Sequence, residues 1–432
     1  MDGLTISWIG ALAGLALAII LILRKLNPVY ALFLGAIVGA LIGGANLDET
    51  IKVLISGTQS VMGTVLRVLA AGVLAGVMME SGAAETIAKA IVKKFGGGKA
   101  ILALALATMI ITAVGVFIPV AVLIVAPIAL SVGNKMGISK IALLLALSGG
   151  GKAGNIISPN PNTIAAANGF NLELSQVMMA GFIPAVFGLA VTVLVATLLK
   201  KKGIMVTDEE AMNQETEDAS KYPPLKTAIV APLVAVVLLM LNPIGAILGI
   251  GFLESFKVDA MFILPIAGII GMLAMGKASK ILDYSASGLN KMTATVLILL
   301  GAGGIAGLIS NSDLSTQVVS IIDSAGISGT FLAPIAGILM AAATASTSTG
   351  VILATGSFGE AILDMGTAPL AAAAMVHTGA TVIDSLPQGN YFHVSAGSMY
   401  MTIKQRMGLV PYEAIVGGTM TVVSTLLYGF LL

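Results

Sequence analysis

The chain contains no cysteine and only two histidines, His377 and His393, in 432 residues. Disulfides and thiolate metal sites are excluded, and two lone imidazoles make a transition-metal site improbable. Redox compartment stays undetermined. Charge is scarce too: 10% of residues are Asp, Glu, Lys or Arg, against about 25% in soluble domains. With a net charge of +1, nothing points to nucleic acid as a partner. Catalytic signatures are missing as well, with no His-Glu-x-x-His and no Gly-x-Ser-x-Gly. Gly-Gly-Gly-Lys occurs at 96–99 and 149–152, but Ala follows each Lys, so neither is a phosphate-binding loop.

What the chain does have is apolar length. Hydrophobic residues make up 57% of it, too many for one soluble core. Stretches long enough to cross about 30 Å of hydrocarbon recur throughout. The sequence predicts full spans near 5–23, 28–44, 60–80 and 174–199, then near 227–241, 259–276, 292–310 and 412–431. The first follows Asp2 with no Lys or Arg ahead of it, unlike a cleaved signal, and reads as a retained span. Four further apolar pieces, 100–133, 140–172, 329–365 and 368–400, are interrupted by Gly, Pro, Ser, Thr or Asn. Unpaired backbone inside hydrocarbon is tolerated only against protein or a wet cavity, so these breaks mark a buried site.

Residues 71–91 recur weakly, in register, at 302–322. Ala71, Gly72, Ala75, Gly76, Ser81 and Ile91 match Ala302, Gly303, Ala306, Gly307, Ser312 and Ile322. The basic residues set an orientation. We take 100–133 and 329–365 as re-entrant hairpins, 140–172 and 368–400 as unwound spans, and the N-terminus as outside. The Lys and Arg residues beyond the membrane then fall inside, Arg406 among them, except Lys52 and Lys257; Arg67 and Lys152 lie within the bilayer. Segment 81–99, with four lysines, lies inside, while 311–328, with none, lies outside. The expected fold class is an all-α polytopic membrane protein with two inverted-topology repeats. It has about ten transmembrane helices, two re-entrant hairpins and two unwound helices. The repeats are 1–202 and 225–432, joined by a cytoplasmic acidic linker at 203–224, with both termini outside.

The chemistry gathers at the breaks. The first runs from Ser148 to Thr163 and offers Asn155, Ser158, Asn160, Asn162 and Thr163. The second runs from His377 to Asn390 and offers Ser385, Gln388 and Asn390. The tip Ser346-Thr347-Ser348-Thr349 of the second hairpin is rich in hydroxyls, whereas its first-half partner, 114–119, is apolar. Amides, hydroxyls and half-helix N-termini around one gap suit a small organic anion. A mid-membrane charge needs a partner or a proton. Asp384 is the candidate coupling carboxylate. Lys152 is expected to face Asp384, the substrate carboxylate or unwound carbonyls, and His377 is a candidate relay. Glu80 reads as an interfacial anchor.

At these positions the chain resembles the gluconate permease (GntP) family of organic-acid:proton symporters, within the ion transporter superfamily. The resemblance covers nearly the whole length. It is carried by the Ser81-Gly82 turn with its following helix, by Pro159-Asn160-Pro161 and by Asp384-Ser385-Leu386-Pro387. Family members often carry His where Asn160 and Gln388 stand; both amides keep hydrogen bonding and lose titration. The resemblance implies proton symport of a gluconate-like or hydroxy acid in the cell inner membrane, a homodimer, and an elevator-like movement of hairpins and broken helices against a scaffold. No cofactor is expected beyond the coupling ion. Sodium is the alternative ion, because hydroxyls, amides and carbonyls are hard oxygen ligands. An intramembrane enzyme would need a nucleophile–base pair or a metal, and neither is evident.

Overall fold

The computed structural model describes residues 6–95, 99–212, 222–324, 328–387 and 389–432. Among them, six helices are long and apolar enough to cross a membrane, and five shorter apolar helices accompany them. Large side chains face outward along whole helices: Phe182, Ile183, Val186, Phe187, Leu194 and Leu198 all do so on Phe182–Leu198. In water such a surface would drive aggregation; in lipid it is the expected exterior.

All eight predicted spans are helical at their centres, and the differences lie at their ends. Span 292–310 belongs to the 30-residue helix Ile281–Ser310. At 1.5 Å per residue this helix extends about 45 Å, through hydrocarbon and headgroups alike. Apolarity marked only its inner portion, because its first turns carry Asp283, Asn290 and Lys291. Lys291 binds Glu80 at 2.6 Å, joining this helix to the end of Met62–Glu80. Span 174–199 is divided into Leu174–Ala180 and Phe182–Leu198 at Gly181. An amphipathic helix, Leu47–Ser60, was not expected at all. Its opening capping box, Asn46 with Glu49, was a readable signal.

Each interrupted piece is two helices around a gap. The first hairpin is Ala100–Ala113 and Ile118–Met136; the second is Leu332–Thr344 and Thr347–Asp364. Their entering legs reach about 20 Å, short of a full crossing. The broken helices are Lys140–Asn155 with Pro161–Gly169, and Pro369–Gly379 with Asn390–Ser398. These pieces pack mainly on one another and on Phe182–Leu198 and Val410–Leu426. A second group is built around Ile281–Ser310, which lies against Pro28–Ile42, Leu47–Ser60 and Met62–Glu80.

Glycine lets that second group close. Gly72 and Gly76 meet Gly288 where Met62–Glu80 crosses Ile281–Ser310, and a Cβ on Gly288 would lie 2.0 Å from the Gly72 carbonyl oxygen. Backbone on both sides leaves nothing to rearrange. Gly288→Ala is therefore expected to destabilise the protein by about 1–3 kcal/mol, seen as a lower melting temperature in detergent. Gly418→Ala, where nothing lies within 4 Å, is the matched change expected to do little.

The linker is anchored as well as acidic. Its short helix Asp208–Met212 places Glu210 on Lys140 at 2.5 Å. Burial pushes the Glu210 carboxyl up, but hydrogen bonds from Lys140 and the Thr207 amide hold it below its ordinary value.

Candidate functional site

The second hairpin turns at Ala345, held at a φ of +48°. Only then does the chain re-enter a helix, capped by the Ser346 hydroxyl, which accepts from the Thr349 amide at 3.3 Å. The N-terminus of Thr347–Asp364 thereby presents Thr347, Ser348 and Thr349 to a cavity. The first break is closed by one amide working in both directions. Asn160 Oδ1 accepts from the Asn162 and Thr163 amides at 2.9 and 3.1 Å, capping Pro161–Gly169, while Nδ2 donates to the Asn155 carbonyl at 2.7 Å. Asn160 also donates to the Asn155 side chain, and the Thr163 hydroxyl lies against Asn160.

Two distant segments converge on Asp384, and its neighbour Ser385 adds a third donor. Lys152, from the end of Lys140–Asn155, donates to Asp384 Oδ1 at 2.5 Å and to the Thr381 carbonyl at 2.5 Å. Thr347 from the hairpin tip donates to Oδ2 at 2.6 Å, and Ser385 donates to Oδ1 at 2.8 Å. Lys152 is fully buried and Asp384 nearly so. Ser348 donates to Asn162, so the same tip touches both breaks. Of the three partners considered for Lys152, the carboxylate and an unwound carbonyl are both present.

A cavity of about 440 Å³ opens beside this cluster, within the range of about 300–1,000 Å³ usual for small-molecule sites. Asn155, Asn162, Ser346, Thr347, Ser348, Thr349, Asp384 and Asn390 line its polar side. Phe117, Ile118 and Pro119 from the first hairpin form an apolar wall, and Pro28, Thr295 and Ile298 close it from the other helix group. Asp384 is the single carboxylate among these described lining residues, and its charge is already matched by Lys152.

The remaining candidates lie elsewhere. Ser158 is buried without a hydrogen-bond partner and does not line the cavity. His377 is buried in Pro369–Gly379, its Nε2 has no partner, and it too is absent from the lining. Gln388 falls outside the described residues.

A second buried pair went unnoticed in the sequence. Arg406, counted there among the inside surface charges, is fully buried. Its guanidinium donates to both oxygens of Glu413, at 2.7 and 3.0 Å, and to the Ser395 hydroxyl at 2.8 Å. Ser148 donates to the same carboxylate. The guanidinium carbon lies 5.5 Å from the ring centre of Tyr391, which lines the cavity. Arg406 and Glu413 flank the entry to the last span, where charges ordinarily face water, so only their opposite signs hinted at a pair.

Comparison with known proteins adds a lineage. The sequence model described as GntP family permease matches residues 6–431. An uncharacterized transporter of Haemophilus influenzae is 51% identical, with 98% of this chain and 99% of that protein aligned. The gluconate permease of Bacillus subtilis is 24% identical over 98% of this chain and 97% of its own. The high-affinity gluconate transporter of Escherichia coli is 22% identical over 86% and 85%. Among solved structures, the YdaH transporter of Alcanivorax borkumensis matches with a TM-score of 0.65 at 14% identity, covering 90% of both chains. That likeness concerns the fold alone.

Proposed function

The chain belongs to the GntP permease family, and from that premise we propose that it is a secondary active transporter importing a small hydroxylated organic acid by proton symport. The observation that carries this reading is the Lys152–Asp384 pair beside a cavity lined by hydroxyls and amides. With the pair intact the site is neutral. An entering carboxylate would leave it with one uncompensated negative charge in a low-dielectric interior, which is costly. A proton placed on Asp384 restores neutrality, leaving Lys152 to face the substrate. Anion and proton then travel together because either alone is penalised.

The same reading assigns the hydrogen bonds to substrate to Asn155, Asn162, Ser346–Thr349 and Asn390, the polar groups of the lining. Ser158, Asn160, Thr163 and Ser385 shape the breaks around it, and Gln388 keeps its place on sequence grounds. Residues 1–202 and 225–432 act as inverted repeats, with the linker 203–224 cytoplasmic and both termini outside. Hairpins and broken helices form the body that moves in an elevator-like step against the remaining spans of a homodimer. The mutual packing of those pieces supports that division. Sodium is the second reading, favoured by the neutral oxygens of Thr347, Ser348 and Asn155 near Asp384.

Proteoliposomes loaded with the purified protein separate the two. Gluconate, glycerate, hydroxybutyrate and lactate are offered under a pH gradient, a sodium gradient, or neither. A pH gradient alone is expected to drive accumulation of at least one acid. Accumulation under sodium alone would transfer coupling to sodium, and no accumulation under either gradient would remove the transport reading.

A further inference from the structure

A cavity of about 280 Å³ that shares no lining residue with the Asp384 cavity lies between the start of helix Ala100–Ala113 and the end of Phe182–Leu198. Its lining is divided in two. Lys99 and Lys200 stand at the rim, while Ile101, Leu102, Ile138 and Val193 supply apolar walls. Neither lysine has an ion-pair partner among the described residues. Two like charges at one apolar recess repel each other unless an anion sits between them.

The backbone around the recess also suits an anion. Lys99 provides no side-chain cap for Ala100–Ala113, and the positive end of that helix's dipole lies at the recess. Just past the end of Phe182–Leu198, Ser139 takes up two carbonyls that would otherwise repel an anion: its hydroxyl donates to the Leu199 carbonyl at 2.8 Å and its amide to the Lys200 carbonyl at 2.9 Å. Beside the recess, Leu194 and Leu198 face outward at 60% and 66% exposure, continuing its apolar walls onto the lipid-facing surface.

We propose that this recess binds an anionic phospholipid, its phosphate held by Lys99 and Lys200 and its acyl chains lying against Ile101, Val193 and the exposed leucines. A free phosphate would use the rim and leave the apolar walls wet. A phospholipid covers both, and a basic pocket between helices at the membrane face is where such a headgroup is held.

The test uses the full-length protein in neutral detergent, titrated with phosphatidylglycerol, phosphatidylcholine or inorganic phosphate, with retained lipid counted by native mass spectrometry. Phosphatidylglycerol is expected to be retained over phosphatidylcholine. K99Q/K200Q should weaken it about 25-fold, at about fivefold per lysine. K201Q/K202Q, which removes equal charge from neighbouring positions outside the lining, should leave affinity nearly unchanged. Val193→Trp, which fills the apolar side and keeps both lysines, should also weaken retention. Equal losses in the two lysine pairs would reduce the effect to diffuse surface charge and overturn the proposal. So would competition by inorganic phosphate at comparable affinity with Val193→Trp unaffected, or retention that ignores headgroup charge.

Discussion

Asp384→Asn is expected to abolish proton-driven accumulation of the organic acid while leaving an inserted protein that still exchanges substrate across the membrane. The argument is one of charge. The amide preserves the size of the carboxyl but keeps one acceptor oxygen; Thr347 and Ser385 donate to different oxygens of Asp384, so one of the two hydroxyls must turn to accept from the new NH2. It cannot take up a proton on substrate entry. Lys152 is left cationic beside the Thr381 carbonyl, so an entering carboxylate neutralises it without any coupling ion. Binding and exchange then survive, whereas accumulation against a gradient does not. Removing one partner of a buried pair commonly costs about 3–5 kcal/mol, so thermal unfolding in detergent belongs beside the uptake assay. Proton-driven accumulation at the parental level would reject Asp384 as the coupling group.

Arg406→Ala should cost stability on the same scale. The substitution leaves Glu413 buried with only Ser148 as donor among the described residues, and it leaves the Ser395 hydroxyl with the Phe392 carbonyl alone. The expected cost is again about 3–5 kcal/mol, read as a lower melting temperature. The pair ties Lys140–Asn155, through Ser148, to Asn390–Ser398, through Ser395, and to the start of Val410–Leu426. Loosening it should reach Tyr391 and therefore weaken substrate binding as well. Replacing both charges, as in Arg406→Met with Glu413→Leu, should recover much of the stability, because a buried pair contributes little beyond satisfying its own desolvation. If Arg406→Ala melts with the parent, the pair holds nothing together.

The positions of the breaks were legible because a break is a local event. Pro159 and Pro161 stop a helix locally, although Gly149–Gly151 stay within Lys140–Asn155, and the four interrupted pieces are each two helices around a gap. Helix extent was less legible. Hydropathy sees where lipid lies, not where a helix ends, so the polar turns at 281–291 were lost from a helix that includes them. Asn160 shows the same limit at one residue. Its side chain was read as a group for substrate, yet it caps one helix and holds the end of another.

Composition alone determined that this chain lives in lipid, and polar residues inside apolar runs determined where its backbone opens, since both follow from each residue's own solvation. Only the tertiary structure decided who answers whom. Lys152 and Asp384 are 232 positions apart, and nothing in either neighbourhood distinguished a carboxylate partner from a carbonyl or a bound anion. The Arg406–Glu413 pair is different: its members stand only seven positions apart, and what packing decided there was their burial. Across distant segments, charge neutrality in a dry interior is enforced only after packing, so it leaves no spacing in the chain to read.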